Sequence, residues 1–248
     1  MRTIRRMSKP SNAMRHLLPT LLLCSLVSLL PSCGEPPKPT VNLYRAVHTG
    51  DVDQIKRHLF WGTDVNQPGA DGNYPLHVAV SQGKVAIAKE LLRHGASTNA
   101  PNALGQTPLH VALANGKVPA AELLLSRGAD DDLQALFFQL VDSGDVDRDT
   151  LDLLIREGVD IDKPADDGIP ALHTAVISGN VKLAKRLISA GADVNAAAAN
   201  GATPMSLAAS IDDPTTAGIM TELLRQYGAT PAPAHDAAAS PGAPPGTP

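Results

Sequence analysis

The chain has 248 residues, a size typical of one or two domains. Apolar residues make up 43% and charged residues 19%, which is enough for a buried core, but aromatic residues are only 3%, too few for a platform that stacks single-stranded nucleic acid. Residues 33–248 carry 16 basic and 25 acidic side chains, a net charge of −9 that nucleic-acid phosphates and anionic lipid headgroups repel. With only Cys24 and Cys33, a disulfide framework and a cysteine zinc site are both excluded.

The first element in the chain is an N-terminal targeting segment. Residues 14–33 read MRHLLPTLLLCSLVSLLPSC, a basic start followed by an apolar run over residues 17–30. This run is shorter than the about 20 apolar residues that a bilayer-spanning helix needs. The order of a basic region and a short apolar region is typical of a secretory signal, so residues 1–32 are predicted to be a signal peptide.

The end of this segment, Leu30-Pro31-Ser32-Cys33, resembles the lipobox of bacterial lipoproteins. The resemblance implies cleavage before Cys33 and acylation of that residue, with about 0.8 kcal/mol of membrane affinity for each buried CH₂ group. Gly34 after the cysteine implies, by the same resemblance, an outer-membrane protein that faces the periplasm. An ordinary cleaved signal with a free Cys33 is the alternative. With Cys33 acylated, residues 33–40 are predicted to be a lipidated, proline-rich spacer, stiff and extended.

The next elements are short helices in a repeated pattern. Glycine recurs at intervals of 33 residues, most plainly in two series: Gly50, Gly83 and Gly116, and Gly62, Gly95 and Gly128. Residues 104–132 read LGQTPLHVALANGKVPAAELLLSRGADDD, and similar segments begin at residues 71 and 167. Thr107 is placed to cap a helix and Pro108 to occupy its first turn, and the apolar residues that follow recur on one helix face.

The opening G-x-T-P-L-H and the closing L-L-x-x-G-A-D-V-N resemble the ankyrin repeat. The resemblance covers residues 41–228 and implies an all-α solenoid of helix-turn-helix repeats joined by β-hairpin loops, called fingers. Six repeats are expected, the first and last of them caps, near residues 36–68, 69–101, 102–132, 133–164, 165–197 and 198–228. Residues 229–248 contain mainly proline and alanine and are predicted to be a disordered tail.

The fourth repeat departs from the period. Gly116 and Gly144 are 28 residues apart, five fewer than the usual interval. The finger between repeats 3 and 4 is therefore predicted to be missing, with Phe137 and Phe138 sealing the core across the gap. In the last repeat, extra residues around 211–214 predict a longer loop between the two helices.

Candidate catalytic and metal sites are few. His77, His110 and His173 recur at one repeat position, too far apart to share a zinc ion, and are predicted to bond neighbouring backbone. Residues 145–152 resemble the start of a calcium loop, but Thr150 and Arg156 stand where that loop needs glycine and glutamate. Nucleophile-elbow, zinc-protease and P-loop motifs are all missing from the sequence. We therefore expect no cofactor, no metal and no enzymatic activity.

What remains is a binding surface. Ankyrin repeats usually bind proteins at the finger tips and at the ends of the inner helices. Carried over position by position, the resemblance implies these protein-binding residues: Asn73, Ser81, Gln82, Gln106, Ala114, Asn115, Asp142, Ser143, Ile169, Ile177 and Ser178. The expected partner is another protein, with no nucleic acid, contact with the membrane only through the lipid anchor, and a monomeric chain.

Together these features predict a non-enzymatic protein–protein interaction module, tethered in the bacterial cell envelope as a scaffold or chaperone-like binder. One alternative is a periplasmic immunity protein that neutralises a toxic effector. Another is an enzyme, or an enzyme inhibitor, that uses the acidic residues of the irregular repeat, 130–152.

Overall fold

The computed structural model describes residues 34–144 and 146–231. The predicted signal peptide, the lipidation site Cys33, most of the predicted tail and Asp145 lie outside these residues. The twelve helices of the described part form six successive pairs: α1 (Leu43–Thr49) and α2 (Val52–Phe60), α3 (Pro75–Ser81) and α4 (Val85–Arg93), α5 (Pro108–Ala114) and α6 (Val118–Leu125), α7 (Leu133–Ser143) and α8 (Arg148–Arg156), α9 (Ala171–Ile177) and α10 (Val181–Ser189), α11 (Pro204–Ala208) and α12 (Pro214–Gln226).

Side chains cap the first helix in four of the six pairs, and α3 and α9 begin without a side-chain cap. Thr107 accepts a hydrogen bond from the His110 amide, and Pro108 occupies the first turn of α5, as predicted. Thr203 and Ser206 form a reciprocal capping box at α11. Residues 209–213 connect α11 to α12, so the longer loop predicted in the last repeat is present.

The helix pairs stack into a solenoid, which confirms the predicted all-α architecture. Among the first, inner helices, α1 packs on α3, α3 on α5, α7 on α9, and α9 on α11. The outer helices pack as α4 with α6, α6 with α8, and α10 with α12. Small side chains allow inner helices to approach closely, and four of them are fully buried: Ala79, Ala112, Ala175 and Ala208.

Four of the five connections between helix pairs are fingers of equal length, at residues 61–74, 94–107, 157–170 and 190–203. Backbone hydrogen bonds close each finger; the amide of Asn102, for example, donates to the carbonyl of Gln106 at 2.9 Å. Neighbouring fingers are also bonded to each other. The Ala103 amide donates to Gly72 at 3.3 Å, and the Ala199 amide donates to Gly168 at 3.1 Å.

The fifth connection, residues 126–132, is seven residues long, half the length of a finger. The finger between repeats 3 and 4 is missing, as the glycine spacing predicts. Gln134 of α7 closes the base of the gap, because its side-chain amide bonds the backbone amide and carbonyl of Asp160 at 3.1 and 3.0 Å. Phe137 is buried beside the half-buried Phe138, with ring centroids 5.4 Å apart, so the pair seals the core here.

In the described part of the chain, the helices are all too short or too polar to cross a membrane.

Candidate protein-binding surface

The fingers and inner-helix ends of the first three repeats form a groove with a cavity of about 340 Å³. Six of the predicted binding residues line it: Asn73, Ser81, Gln82, Gln106, Ala114 and Asn115. The sequence pattern therefore brought together residues that share one surface. Their role in binding stays a prediction.

The predicted finger residues lie beside the tips. Asn73, Gln106 and Ile169 each follow the turn at the tip of a finger, on the arm that returns to the next inner helix. Leu104 lies at the tip itself and is 80% exposed. The tip of this finger therefore presents an apolar side chain.

The remaining predicted residues lie farther along the solenoid, outside this groove. Asp142 and Ser143 end α7, and Ile177 and Ser178 lie at the end of α9. The Ser143 hydroxyl donates to the Leu140 carbonyl at 2.6 Å, so it is partly engaged by its own helix. Ile177 is 57% exposed and offers an apolar contact.

A chain of side-chain hydrogen bonds along the groove was not foreseen from the sequence. The Tyr44 hydroxyl donates to Asp71 at 2.5 Å, Asn73 donates to Asp71 at 2.9 Å, and Asn102 donates to Asn73 at 2.8 Å. This network joins repeat 1 to the second and third repeats and fixes the polar side chains of the groove. The sequence carried no signal for it, since Tyr44 lies in the cap that lacks the repeat motif.

The network also shifts two pKa values. Burial, together with the hydrogen bond to Asp71 and its negative charge, raises the pKa of Tyr44 to about 12. Hydrogen bonds from Asn73 and Tyr44 lower the pKa of Asp71. At neutral pH the pair therefore consists of a neutral phenol that donates and a carboxylate that accepts.

The repeated histidines were predicted to bond neighbouring backbone, and two of them do. The Nε2 atoms of His77 and His173 lie 3.0 Å from the carbonyl oxygens of Gln106 and Ala202, in the next finger along. Because a carbonyl can only accept, Nε2 carries the proton in both rings. The prediction is wrong for His110, because the finger that would supply its carbonyl is missing. Its Nε2 lies 3.5 Å from the side-chain nitrogen of Gln106 instead.

Acidification should weaken the fold through His77 and His173. Burial lowers the pKa of both rings below the usual value of 6.5, and each Nδ1 is buried with no partner in the described part. The unfolded chain takes up these protons at a higher pH than the folded chain does. The free energy of unfolding is therefore greatest above pH 6.5, and it falls as the pH drops toward the lower pKa values of the two rings in the folded protein. Urea unfolding of wild type at a series of pH values between about 7.5 and 5 measures the loss.

The matched variants for this titration are His173→Gln and His94→Gln. His173→Gln should be less stable than wild type at neutral pH, by about 1 kcal/mol, because the hydrogen bond of the ring is lost. Because a glutamine side chain is not protonated in this range, the stability of the variant should fall less than that of wild type on acidification. His94 is exposed at the end of α4, and its replacement should leave the fall intact. An unchanged fall in His173→Gln would contradict this account.

The acidic residues of the irregular repeat have structural roles. Asp132 accepts hydrogen bonds from the amides of Gln134 and Ala135, and Asp147 accepts one from Thr150, so both cap helices. Asp152 lies 3.7 Å from Arg148 on the surface of α8. Over residues 34–144 and 146–231, His, Cys, Asp and Glu side chains form no group of three or more that could hold a metal ion.

Comparison with known proteins agrees with this architecture. The family model "Ankyrin repeats (3 copies)" matches residues 43–135 and 137–232. The human ASB11 ankyrin repeat domain superposes with a TM-score of 0.59 and 28% identity, covering 77% of this chain and 85% of that one. An ankyrin repeat domain from Acinetobacter baumannii AYE superposes with a TM-score of 0.54 and 26% identity, covering 76% of this chain and 98% of that one.

A curated relative matches over a shorter stretch. The potassium channel AKT1 of Oryza sativa subsp. indica is 42% identical over 62 residues, which is 25% of this chain and 7% of the channel. The chain thus spans less than a tenth of this relative's length. Together with the family match, the stacked helix pairs and the fingers, these findings show that the chain belongs to the ankyrin repeat family. Its repeats form a protein–protein interaction module, a class of domain that is typically non-enzymatic.

Proposed function

We propose that this chain is a lipoprotein of the bacterial cell envelope, anchored through Cys33 and facing the periplasm at the outer membrane, where its repeats act as a scaffold or chaperone-like binder. The observation that carries the binding role is the groove of repeats 1–3. Hydrogen bonds among Tyr44, Asp71, Asn73 and Asn102 hold its side chains in place. A surface that is ordered before binding loses less entropy when a partner docks.

The tether is supported by the sequence around Cys33. The lipobox-like LPSC at residues 30–33 is followed by GEPPKPT, and α1 begins only at Leu43. Residues 34–39 carry no helix or strand. A proline-rich spacer of this kind separates a folded domain from a membrane surface.

Two variants of the full chain test the two halves of the proposal in one experiment. Cys33→Ser should move the protein from the membrane fraction to the soluble fraction, because acylation of the thiol is lost. Gln82→Arg with Asn115→Arg should leave the protein in the membrane but abolish chemical cross-linking to its partner, because two long cations fill the groove. Lys89→Glu on the outer helix α4 is the control for the second variant.

Each half has its own contrary result. If Cys33→Ser still sediments with membranes, the chain is not held by an acyl anchor. If the groove variant and the control cross-link to the same protein equally well, the partner binds elsewhere.

A second candidate is a periplasmic immunity protein that neutralises a toxic effector. The supporting observation is the acidic surface where the finger is missing, which carries Asp131, Asp132, Asp166 and Asp167. A basic effector would be attracted to it. Deleting the gene should then make cells sensitive to their siblings, and unchanged sensitivity would remove this candidate.

A further inference from the structure

The missing finger leaves an open site in the solenoid, which we call the break. On one side, a cavity of about 200 Å³ lies between Gly105, His110, Asp131 and the start of α7. On the other side, a cavity of about 480 Å³ lies between the start of α7 and residues 163–167 of the next finger. Both cavities include Asp132 and Ala135, so they are two parts of one opening.

The intact parts of the solenoid show what normally fills this position. A finger there receives a hydrogen bond from the histidine of the preceding repeat, at 3.0 Å for both His77 and His173. It also donates an amide to the preceding finger, as Ala103 does to Gly72. The natural occupant of such a position is therefore an extended piece of backbone with a free carbonyl and a free amide.

At the break, the groups that would meet this backbone have no such partner. Among the described residues, no backbone amide donates to the Gly105 carbonyl and no backbone carbonyl accepts from His110. The Asp166 amide, on the far side, likewise lacks the acceptor that Ala103 and Ala199 have. His110 is half-buried, so its ring gains most from a partner, whereas Gly105 and Asp166 are exposed and mark where the backbone of an occupant would pair.

Charge identifies the side chains of the occupant. Asp131 Oδ2 is buried and has no hydrogen-bond partner in the described part of the chain. Asp132, Asp166 and Asp167 also line the opening, with Lys163 as the one Lys or Arg among the residues that line these two cavities. An opening lined by four aspartates and one lysine favours a cationic side chain, and a guanidinium matches a carboxylate with the best geometry.

We propose that the break is the docking site for an extended basic segment of the partner protein, which takes the place of the missing finger. In place of the 3.5 Å contact with Gln106, His110 donates from Nε2, in the tautomer protonated there, to a backbone carbonyl of that segment. An amide of the segment donates to the Gly105 carbonyl, and an arginine or lysine pairs with Asp131. The proposal rests on the proposed function as a protein binder, and it names the chemistry of the partner. Leu104, at the adjacent finger tip, supplies an apolar contact beside the opening.

The test uses the full-length protein in detergent and a peptide that copies one of its own fingers. The probe has the sequence of residues 96–107 closed by a terminal disulfide, labelled with fluorescein, and carries Gln106→Arg, at the residue whose carbonyl meets the histidine. The matched probe carries Gln106→Glu. We expect the arginine peptide to bind measurably and the glutamate peptide to bind much more weakly, by fluorescence anisotropy.

Protein variants locate the site. Asp131→Asn should lower the affinity for the arginine peptide by about tenfold, the size expected for the loss of a hydrogen bond to a charged group. Asp149→Asn, on the first turn of α8, is the matched control and should leave affinity unchanged. Replacing the short connection, residues 126–132, with the finger sequence of residues 94–107 fills the break and should abolish binding, while circular dichroism confirms that the variant is folded.

Several results would overturn the proposal. Equal affinity of the two peptides, or unchanged affinity in Asp131→Asn, would show that the break does not select a basic segment. If the arginine peptide binds only after deletion of residues 232–248, the occupant of the break is this chain's own tail. If the peptide no longer binds when the protein dimerises, the occupant is a second copy of the chain. None of these outcomes changes the membrane partitioning or groove cross-linking described above, so failure here is distinguishable from failure of the proposed function.

Discussion

Phe137→Ala should lower the free energy of unfolding by about 3–5 kcal/mol, the range seen when a large buried aromatic is truncated. The ring is 1% exposed and packs in the repeat that follows the short connection at residues 126–132. The packed helices around Phe137 can relax only in part, so truncation leaves a cavity in the core. Urea unfolding followed by circular dichroism measures the loss.

Phe138→Ala is the matched control for this variant. Phe138 is adjacent in sequence and of the same type, but its ring is half-buried beside the opening at α7. Its truncation removes less buried area and should cost clearly less than that of Phe137. Equal losses in the two variants would show that Phe137 does not seal the core.

Gly72→Ala should destabilise the protein far more than Gly105→Ala, although the two glycines occupy equivalent finger positions. Both have left-handed backbone, with φ of 74° and 75°, and so both variants lose about 1–2 kcal/mol for that reason alone. At Gly72 an added Cβ would lie 2.3 Å from the Cβ of Ala103 in the next finger. At Gly105 nothing lies within 4 Å, because the next finger is missing.

The difference between the two variants therefore measures how tightly fingers pack against each other, with an expected excess of about 1–3 kcal/mol for Gly72→Ala. Differential scanning calorimetry of the two variants beside wild type gives this number. If the two midpoints fall by the same amount, the fingers are not held in the close contact that the Ala103–Gly72 hydrogen bond indicates.

Much of the fold could be predicted because the same motif occurs several times along the sequence. The 33-residue glycine interval and the T-P-L-H segment predicted the helix pairs, and the five-residue deficit before Gly144 predicted the missing finger. Local rules are sufficient for these features, since caps and turns depend on residues a few positions apart.

The site was harder to predict because its interactions cross between repeats. The motif identified His77, His110 and His173 as equivalent, but whether each ring is satisfied depends on a carbonyl 29 residues away in the next finger. The missing finger was predicted, yet its effect on His110 required the geometry. The bond between Tyr44 and Asp71 is of the same kind, since it joins two repeats and Tyr44 lies in the cap that lacks the repeat motif.

The missing finger also changes how the two halves of the solenoid are joined. Repeats in a solenoid interact only with their neighbours, so any energetic effect passes from one end to the other through each interface in turn. Between repeats 3 and 4 the hydrogen bond from finger to finger is lost, and the packed helices carry the coupling, together with an ion pair between Glu122 of α6 and Arg156 of α8. We therefore expect a destabilising substitution in one half to lower the stability of the other half less than that of its own half.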